Sequence, residues 1–154
     1  MSKEFERLFG EDQKAIETWS AGKMSDKEFN KINSKLINEV EKLLKSQKKI
    51  SGKDYFTAAI IFHHMYKLPF SKRAVEFAKM SHELGYKKGK WLITSTTDRL
   101  LQLEGKPQKF GTQVVNMKAK RLKLYKLNPK TTDKERKEYG LPTLKQIKKE
   151  YRVK

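Results

Sequence analysis

Residues 25–44 constrain the fold more than any other part of the sequence, because they combine a helix start signal with a helical apolar repeat. Ser25 and Glu28 have the spacing of a capping box, in which the serine hydroxyl accepts an amide hydrogen of the first turn and the glutamate reaches back. The apolar positions that follow recur every three or four residues (Phe29, Ile32, Leu36, Ile37, Val40, Leu43 and Leu44). The segment therefore predicts a long amphipathic helix that packs its apolar face against other helices.

Four further segments in the first two thirds of the chain carry helical signals. Residues 5–19 have apolar positions at helical spacing, with a break expected near Gly10. A third helix is expected to start around residues 52–54, and its body, residues 55–65, is apolar almost all round, which is typical of a helix at the centre of a domain. Ser71 is expected to cap a fourth helix that ends at Gly85, and a fifth helix is expected over residues 88–103. The small residues and short connections of these last three helices resemble the stacked helical hairpins of Sel1-like proteins.

The pattern changes after Pro107. β-prone residues, partly alternating with a period of two, predict a small β-hairpin near residues 112–127, with its turn at 118–120. Thr132 begins a second capping box, and a last short helix is expected over residues 144–151. We therefore expect a mainly α-helical bundle of five to seven helices. Residues 1–154 are expected to form a single helical domain with a basic C-terminal appendage from about residue 118.

The net charge of +18 is concentrated towards the C-terminal end. Residues 111–154 hold 14 Lys and Arg against 4 Asp and Glu, a net charge of +10. Such a field attracts the phosphates of nucleic acids, nucleotides or anionic lipids, although a lysine-rich surface also occurs without such a partner. Because lysine outnumbers arginine, binding to RNA or DNA should depend only weakly on base sequence. The predicted nucleic-acid contacts are Lys118, Lys120, Arg121, Lys123 and Lys126.

The composition excludes several classes of site. Cysteine is absent, which excludes disulfide bonds and thiolate metal sites. No apolar run approaches the about 20 residues of a membrane-spanning helix, and the first residues show no apolar signal segment. We therefore expect a cytoplasmic protein with no membrane association, no metal and no cofactor. The sequence contains no P-loop, nucleophile elbow or dinucleotide glycine pattern, so whether the protein is an enzyme stays open, as does its oligomeric state.

Six consecutive polar residues interrupt the predicted fifth helix at positions 94–99. Ser, Thr and Asp compete with the helical backbone for hydrogen bonds, so such a run is unusual. The apolar residues on both sides of the run indicate that it is at least partly buried. One interpretation is a structural network of hydrogen bonds that fixes the helix to its neighbours. The other is a ligand pocket in which Arg99 binds an anion and Asp98 acts as a base or orients one.

Two other stretches hold candidate functional residues. His63 and His64 end the apolar third helix, and adjacent helical residues do not chelate one metal ion as an i, i+4 pair does. Each is either a structural group or an acid–base group, since imidazole titrates near neutrality. The loop at residues 105–113 contains two glycines and the polar side chains Gln108, Thr112 and Gln113. These side chains either hold a polar ligand or connect the fifth helix to the hairpin.

These stretches resemble a mostly bacterial family of uncharacterised proteins, a domain of unknown function. The matching motifs are Asp-Tyr-x-x-Ala-Ala-x-Ile-Phe-Gln/His-His at residues 54–64, Asp-Arg at 98–99 and Gly-x-x-Gln-x-Phe/Tyr-Gly-Thr-Gln at 105–113. Asp12-Gln13 and Gly140-Leu141-Pro142 are also similar to the family pattern. The family usually has glutamine where this chain has His63, which makes His64 the stronger catalytic candidate. It often has an arginine shortly after Asp-Gln that this chain lacks, so no role is assigned to Asp12.

The resemblance implies that the polar residues form one constellation, which favours a shared pocket. The first hypothesis is a pocket for an anionic ligand, a nucleotide or nucleic acid, in a metal-independent hydrolase or transferase. Its predicted catalytic residues are His64, Asp98 and Arg99, and its predicted ligand-binding residues are Gln108, Thr112, Gln113 and His63. The second hypothesis is a non-catalytic nucleic-acid-binding module that uses the basic C-terminal third. The third is a helical protein-interaction adaptor.

Overall fold

The computed structural model describes residues 1–115 and 123–151. Within these ranges the chain forms seven helices and a two-stranded antiparallel sheet, which confirms the predicted fold class. The elements are α1 (Lys3–Ser20), α2 (Asp26–Ser46), α3 (Gly52–His64), α4 (Leu68–Glu83), α5 (Lys87–Leu103), β1 (Val114–Val115), β2 (Lys123–Leu124), α6 (Asp133–Glu138) and α7 (Leu144–Glu150). None of the described helices combines the length and the apolar character that a bilayer span requires.

Serine hydroxyls accept first-turn amide hydrogens at the starts of α1, α2 and α3. The capping box predicted at Ser25 is confirmed, and Ser51 forms a second one with Asp54. The Asp54 carboxylate also accepts the amide hydrogen of Ser2 at 2.9 Å, so it joins the start of α3 to the start of α1. Burial alone would raise the pKa of Asp54, but the hydrogen bonds from Ser51 and Ser2 hold it below its ordinary value.

Helix α3 lies at the centre of the helical core, as its apolar composition predicts. It packs against α1, α2, α4 and α5, and α4 in turn packs against α5. This arrangement brings the C-terminal end of α3 beside the polar middle of α5. The fully buried apolar core comes from the first five helices and the residue after α3 (Phe5, Leu8, Leu36, Val40, Ala58, Ala59, Ile61, Phe62, Met65, Ala74, Ala78 and Leu92).

Two helix boundaries differ from the predictions. Helix α1 continues through Gly10. Residues on both sides of this glycine are buried on the same face of the helix (Phe5, Leu8, Asp12 and Ala15). This packing outweighs the cost of a glycine inside a helix, which is about 1 kcal/mol. Helix α4 begins at Leu68 rather than at Ser71. Pro69 occupies its first turn, where a missing amide hydrogen costs no helical hydrogen bond. Ser71 is consequently buried inside the helix and does not cap it.

The two strands follow the loop at residues 105–113 and pair Val114 with Leu124 and Val115 with Lys123. The predicted turn at 118–120 lies outside the described residues. Gly111, in the loop, has a φ of +88°, and a Cβ atom there would lie 3.1 Å from Ile147 of α7. A glycine is therefore needed both for the backbone conformation and for the close approach of α7.

Helices α6 and α7 begin at capping boxes on Thr132 and Thr143. The capping box on Thr132 is confirmed as predicted. Arg136 on α6 is 1% exposed, and its guanidinium donates hydrogen bonds to the backbone oxygens of Phe110 at 3.4 Å and Thr131 at 3.0 Å. This buried arginine ties the C-terminal helices to the loop that follows α5.

Candidate functional site

A cavity of about 710 Å³ lies between α1, α2, the end of α3, α5 and the segment that leads into β1. Its volume lies within the range of natural small-molecule sites, about 300–1,000 Å³. Aromatic and polar side chains share its walls, which is the composition expected of a ligand site. The lining residues are Ile16, Trp19, Asp26, Phe29, Asn30, His63, His64, Tyr66, Trp91, Ser95, Arg99, Thr112, Gln113 and Val114.

An aspartate–histidine pair forms part of this site. The Nδ1 atom of His64 lies 2.8 Å and 3.0 Å from the two carboxylate oxygens of Asp12, which is 1% exposed on α1. An ionised carboxylate only accepts hydrogen bonds, so Nδ1 carries the proton and Nε2 of the neutral ring is left as an acceptor. No described group bonds to Nε2, and His64 lines the cavity. The pair therefore has the arrangement of an oriented general base.

Arg99 supplies a positive charge to the same cavity. Its Nε donates to Gln113 Oε1 at 2.7 Å, its Nη1 donates to the backbone oxygen of His63 at 3.3 Å, and its guanidinium lies 4.3 Å from the centre of the Tyr66 ring. Within the described ranges no carboxylate lies at ion-pair distance from Arg99. Burial lowers the pKa of Arg99 to about 10, so the group stays charged at neutral pH. A partly buried cation without a fixed counter-ion attracts an anionic ligand.

His63 lines the cavity as a neutral ring. It is 7% exposed, and burial, followed by the positive charge of Arg99, holds its pKa well below the ordinary value. Its Nε2 lies 3.5 Å from the Ser95 hydroxyl, and its Nδ1 has no hydrogen-bond partner among the described residues. A buried nitrogen without a partner costs free energy in the folded protein.

Asp98 does not line the cavity. Its carboxylate is fully buried and accepts four donors from the loop: the amides of Lys109 (2.7 Å), Phe110 (2.9 Å) and Thr112 (3.0 Å), and the Thr112 hydroxyl (2.8 Å). Burial raises the pKa of Asp98, and these hydrogen bonds offset part of the rise. No hydrogen bond joins Asp98 to His64 among the described residues, and His64 lies against Asp12 instead. The position of Asp98 indicates a structural role.

Gln108 is also a loop residue and is fully buried. Its Oε1 accepts the Gln113 amide at 2.7 Å, and its Nε2 donates to the backbone oxygens of Gln113 at 3.0 Å and Tyr125 at 2.8 Å. Every polar atom of its side chain thus bonds to the protein, and Gln108 does not line the cavity. We call Asp98, Gln108 and the loop groups that bond to them the loop cluster.

Thr112 and Gln113 connect this loop cluster to the cavity, where both contribute to the wall. Gln113 accepts from Arg99, and its Nε2 donates to the backbone oxygen of Ser95 at 3.1 Å. The loop therefore sets the position of the Arg99 guanidinium. We call Asp12, His63, His64 and Arg99 the cavity cluster.

The structure adds residues that the sequence reasoning missed. The Asp12-Gln13 motif does not by itself indicate that Asp12 contacts His64, and the sequence does not show that Trp19, Phe29, Tyr66 and Trp91 line one cavity. Of the predicted nucleic-acid contacts, Lys123 and Lys126 are exposed. The other three, Lys118, Lys120 and Arg121, lie outside the described residues. Across residues 1–115 and 123–151, His, Asp and Glu side chains form no group of three or more that could hold a metal ion.

Comparison with protein-family models, with curated proteins and with solved structures found no match to this chain. The family resemblance of its motifs stays a prediction.

Proposed function

We propose that the cavity binds a small anionic ligand with a planar ring, a nucleotide, and that His64 acts on it as a general acid–base oriented by Asp12. The observation that carries this proposal is the partly buried Arg99 guanidinium, which has no described carboxylate partner and shares one cavity with the Asp12–His64 pair. A cation and an oriented base in one concave site are the two groups that metal-independent cleavage of a phosphate ester requires.

The walls favour a ring on the ligand. Trp19, Tyr66 and Trp91 line the cavity, and Trp91 is 46% exposed although tryptophan is a large apolar residue. Aromatic side chains stack on nucleobases, and every base offers a π-face for this contact. The net charge of +18 also raises the local concentration of anions around the whole protein.

His64 has a defined part in the proposed hydrolysis. Its Nε2 accepts a proton from water while the water oxygen forms a bond to phosphorus. The bond from phosphorus to the leaving oxygen breaks, its electron pair goes to that oxygen, and the imidazolium returns the proton to it. Asp12 stabilises the imidazolium, and Arg99 stabilises the negative charge on the phosphate.

Tryptophan fluorescence gives a direct test, because the chain has two tryptophans and both line the cavity. Titration with adenosine, AMP and ATP should change the emission, with AMP or ATP binding more tightly than the uncharged nucleoside. Arg99→Gln should weaken nucleotide binding about tenfold or more. It should not lower the melting temperature, since it removes a partly buried charge that has no counter-ion among the described residues.

Arg7→Gln is the matched control, because Arg7 is an exposed arginine that pairs with Glu11 and Glu39 on the surface. Its nucleotide affinity should equal that of the wild type. His64→Gln should keep the affinity and lower any turnover of phosphate esters by about 10²-fold or more. The proposal fails if no nucleotide changes the emission, or if the Arg7 and Arg99 variants lose affinity equally.

A further inference from the structure

A second, smaller cleft of about 170 Å³ adjoins the cavity. Trp91, Ser95 and Thr112 line both spaces, so the exposed Trp91 side chain stands between them. The other wall of the cleft comes from the C-terminal segment, including Pro142, Ile147 and Tyr151. At this volume the cleft is smaller than typical sites for a whole ligand, which suits a subsite next to the main one.

We infer that the ligand is a strand of single-stranded nucleic acid, with one nucleotide in the cavity and the next base in this cleft, stacked on Trp91 and Tyr151. The inference rests on the proposed function and extends it by naming a polymeric substrate. A mononucleotide would leave the cleft unused, whereas two adjacent nucleotides would fill both spaces.

The chemistry of the cleft favours a base over a phosphate. Its walls are mainly apolar and aromatic, and Glu150 is the carboxylate among them, which repels phosphate groups. The phosphates of a bound strand would therefore lie outside the cleft. Exposed lysines occupy both flanking helices there, with Lys90 on α5 beside Trp91, and Lys148 and Lys149 on α7.

A single strand fits these features better than a duplex does. Bases of a duplex are stacked on one another, and only an unpaired base can stack on a protein ring. The lysines contact phosphates without reading sequence, so the strand should bind with little sequence preference and with a strong dependence on salt.

The test compares AMP, the tetranucleotide oligo(dA)₄ and a twelve-base-pair duplex, measured by tryptophan fluorescence and by competition with a labelled strand. The tetranucleotide should bind at least about tenfold more tightly than AMP, and the duplex should bind more weakly than the tetranucleotide. Tyr151→Ala should lower the tetranucleotide affinity about fivefold or more, since stacking on one aromatic ring accounts for at least that factor. The AMP affinity of this variant should stay within about twofold of the wild type.

Lys148→Gln and Lys27→Gln form a matched pair of exposed lysines on α7 and α2. Lys148→Gln should reduce the slope of log affinity against log salt concentration by about one, the value of one lost phosphate contact. Lys27→Gln should leave this slope unchanged. The inference is overturned if the tetranucleotide binds no more tightly than AMP, or if the duplex competes for the protein as well as the tetranucleotide does. It is also overturned if Tyr151→Ala binds the tetranucleotide with wild-type affinity. If AMP itself does not bind, the proposed function fails first, and this outcome is distinct from the others.

Discussion

The loop cluster and the cavity cluster both depend on α5, yet they differ in how completely their polar atoms are bonded. In the loop cluster, the Asp98 carboxylate accepts four donors and the Gln108 amide uses both its oxygen and its nitrogen. In the cavity cluster, His63 Nδ1 has no described partner, and Arg99 has no described carboxylate at ion-pair distance. His64 Nε2 likewise has no described partner.

This difference separates structural residues from candidate functional ones. A polar group whose bonds are all made within the protein has nothing left to offer a ligand, and removing it leaves its partners unsatisfied. A polar group that is buried with bonds unmade costs free energy in the empty protein. Such a cost is typical of sites that a ligand completes, so ligand affinity should depend on the cavity cluster and stability on the loop cluster.

The largest expected effect tests the loop cluster. Asp98→Ala leaves three backbone amides and one hydroxyl without their acceptor, and we expect it to lower the free energy of unfolding by about 3–5 kcal/mol. Urea denaturation followed by circular dichroism measures this change. Glu76→Ala, which removes an exposed carboxylate from α4, should change it by less than about 0.5 kcal/mol. A loss below about 1 kcal/mol for Asp98→Ala would show that the loop does not depend on this carboxylate.

The second effect tests the orientation of His64 in the cavity cluster. Asp12→Asn keeps the size of the side chain but replaces one acceptor oxygen with a donor, so the imidazole loses its preference for a proton on Nδ1. Turnover should fall about 10²-fold while nucleotide affinity stays within about threefold. NMR of the imidazole nitrogens reports the tautomer independently of activity and should show the proton moving towards Nε2. An unchanged tautomer would remove Asp12 from its proposed role.

Gln13→Ala gives a graded control for that experiment. Gln13 Nε2 donates to the Asp12 carboxylate at 2.9 Å and has no described contact with His64. Its loss should leave the Nδ1 tautomer in place and reduce turnover much less than Asp12→Asn does. Equal effects of the two variants would mean that the N-terminal helix as a whole, and not the carboxylate, positions the imidazole.

Local signals explain which parts of this fold could be predicted. The start of α2 depends on a capping box and its packing on an apolar stripe, and both are readable within about 20 residues of sequence. The polar run in α5 was predicted to be at least partly buried, and this is confirmed for Thr94, Ser95, Thr96 and Asp98. Their sequence, however, does not reveal whether the bonds they make are complete, and Asp98 therefore received a catalytic role that its position does not support.

The parts that could not be predicted depend on contacts between distant residues. Asp12 and His64 are 52 positions apart, and neither helical periodicity nor residue type indicates that α1 presents this carboxylate to the end of α3. The same limit applies to Gly10, where a local helix breaker is outweighed by core packing on both sides. The cavity also combines side chains from several elements that are separate in sequence, so its aromatic wall becomes visible only in the folded chain.

The smallest effect concerns how the stability of the protein depends on pH through His63. Its folded pKa lies well below the ordinary value, so the unfolded chain binds a proton near pH 6.5 while the folded protein does not. The free energy of unfolding must then fall as the pH drops through 6.5, and His63 alone should lower it by about 1.4 kcal/mol between pH 7.5 and 5.5. His63→Gln should abolish that share of the pH dependence, whereas His82→Gln, at an exposed position, should keep it. Urea denaturation of both variants at the two pH values measures the difference. If His63→Gln loses as much stability as the wild type on acidification, His63 is not held neutral in the folded protein.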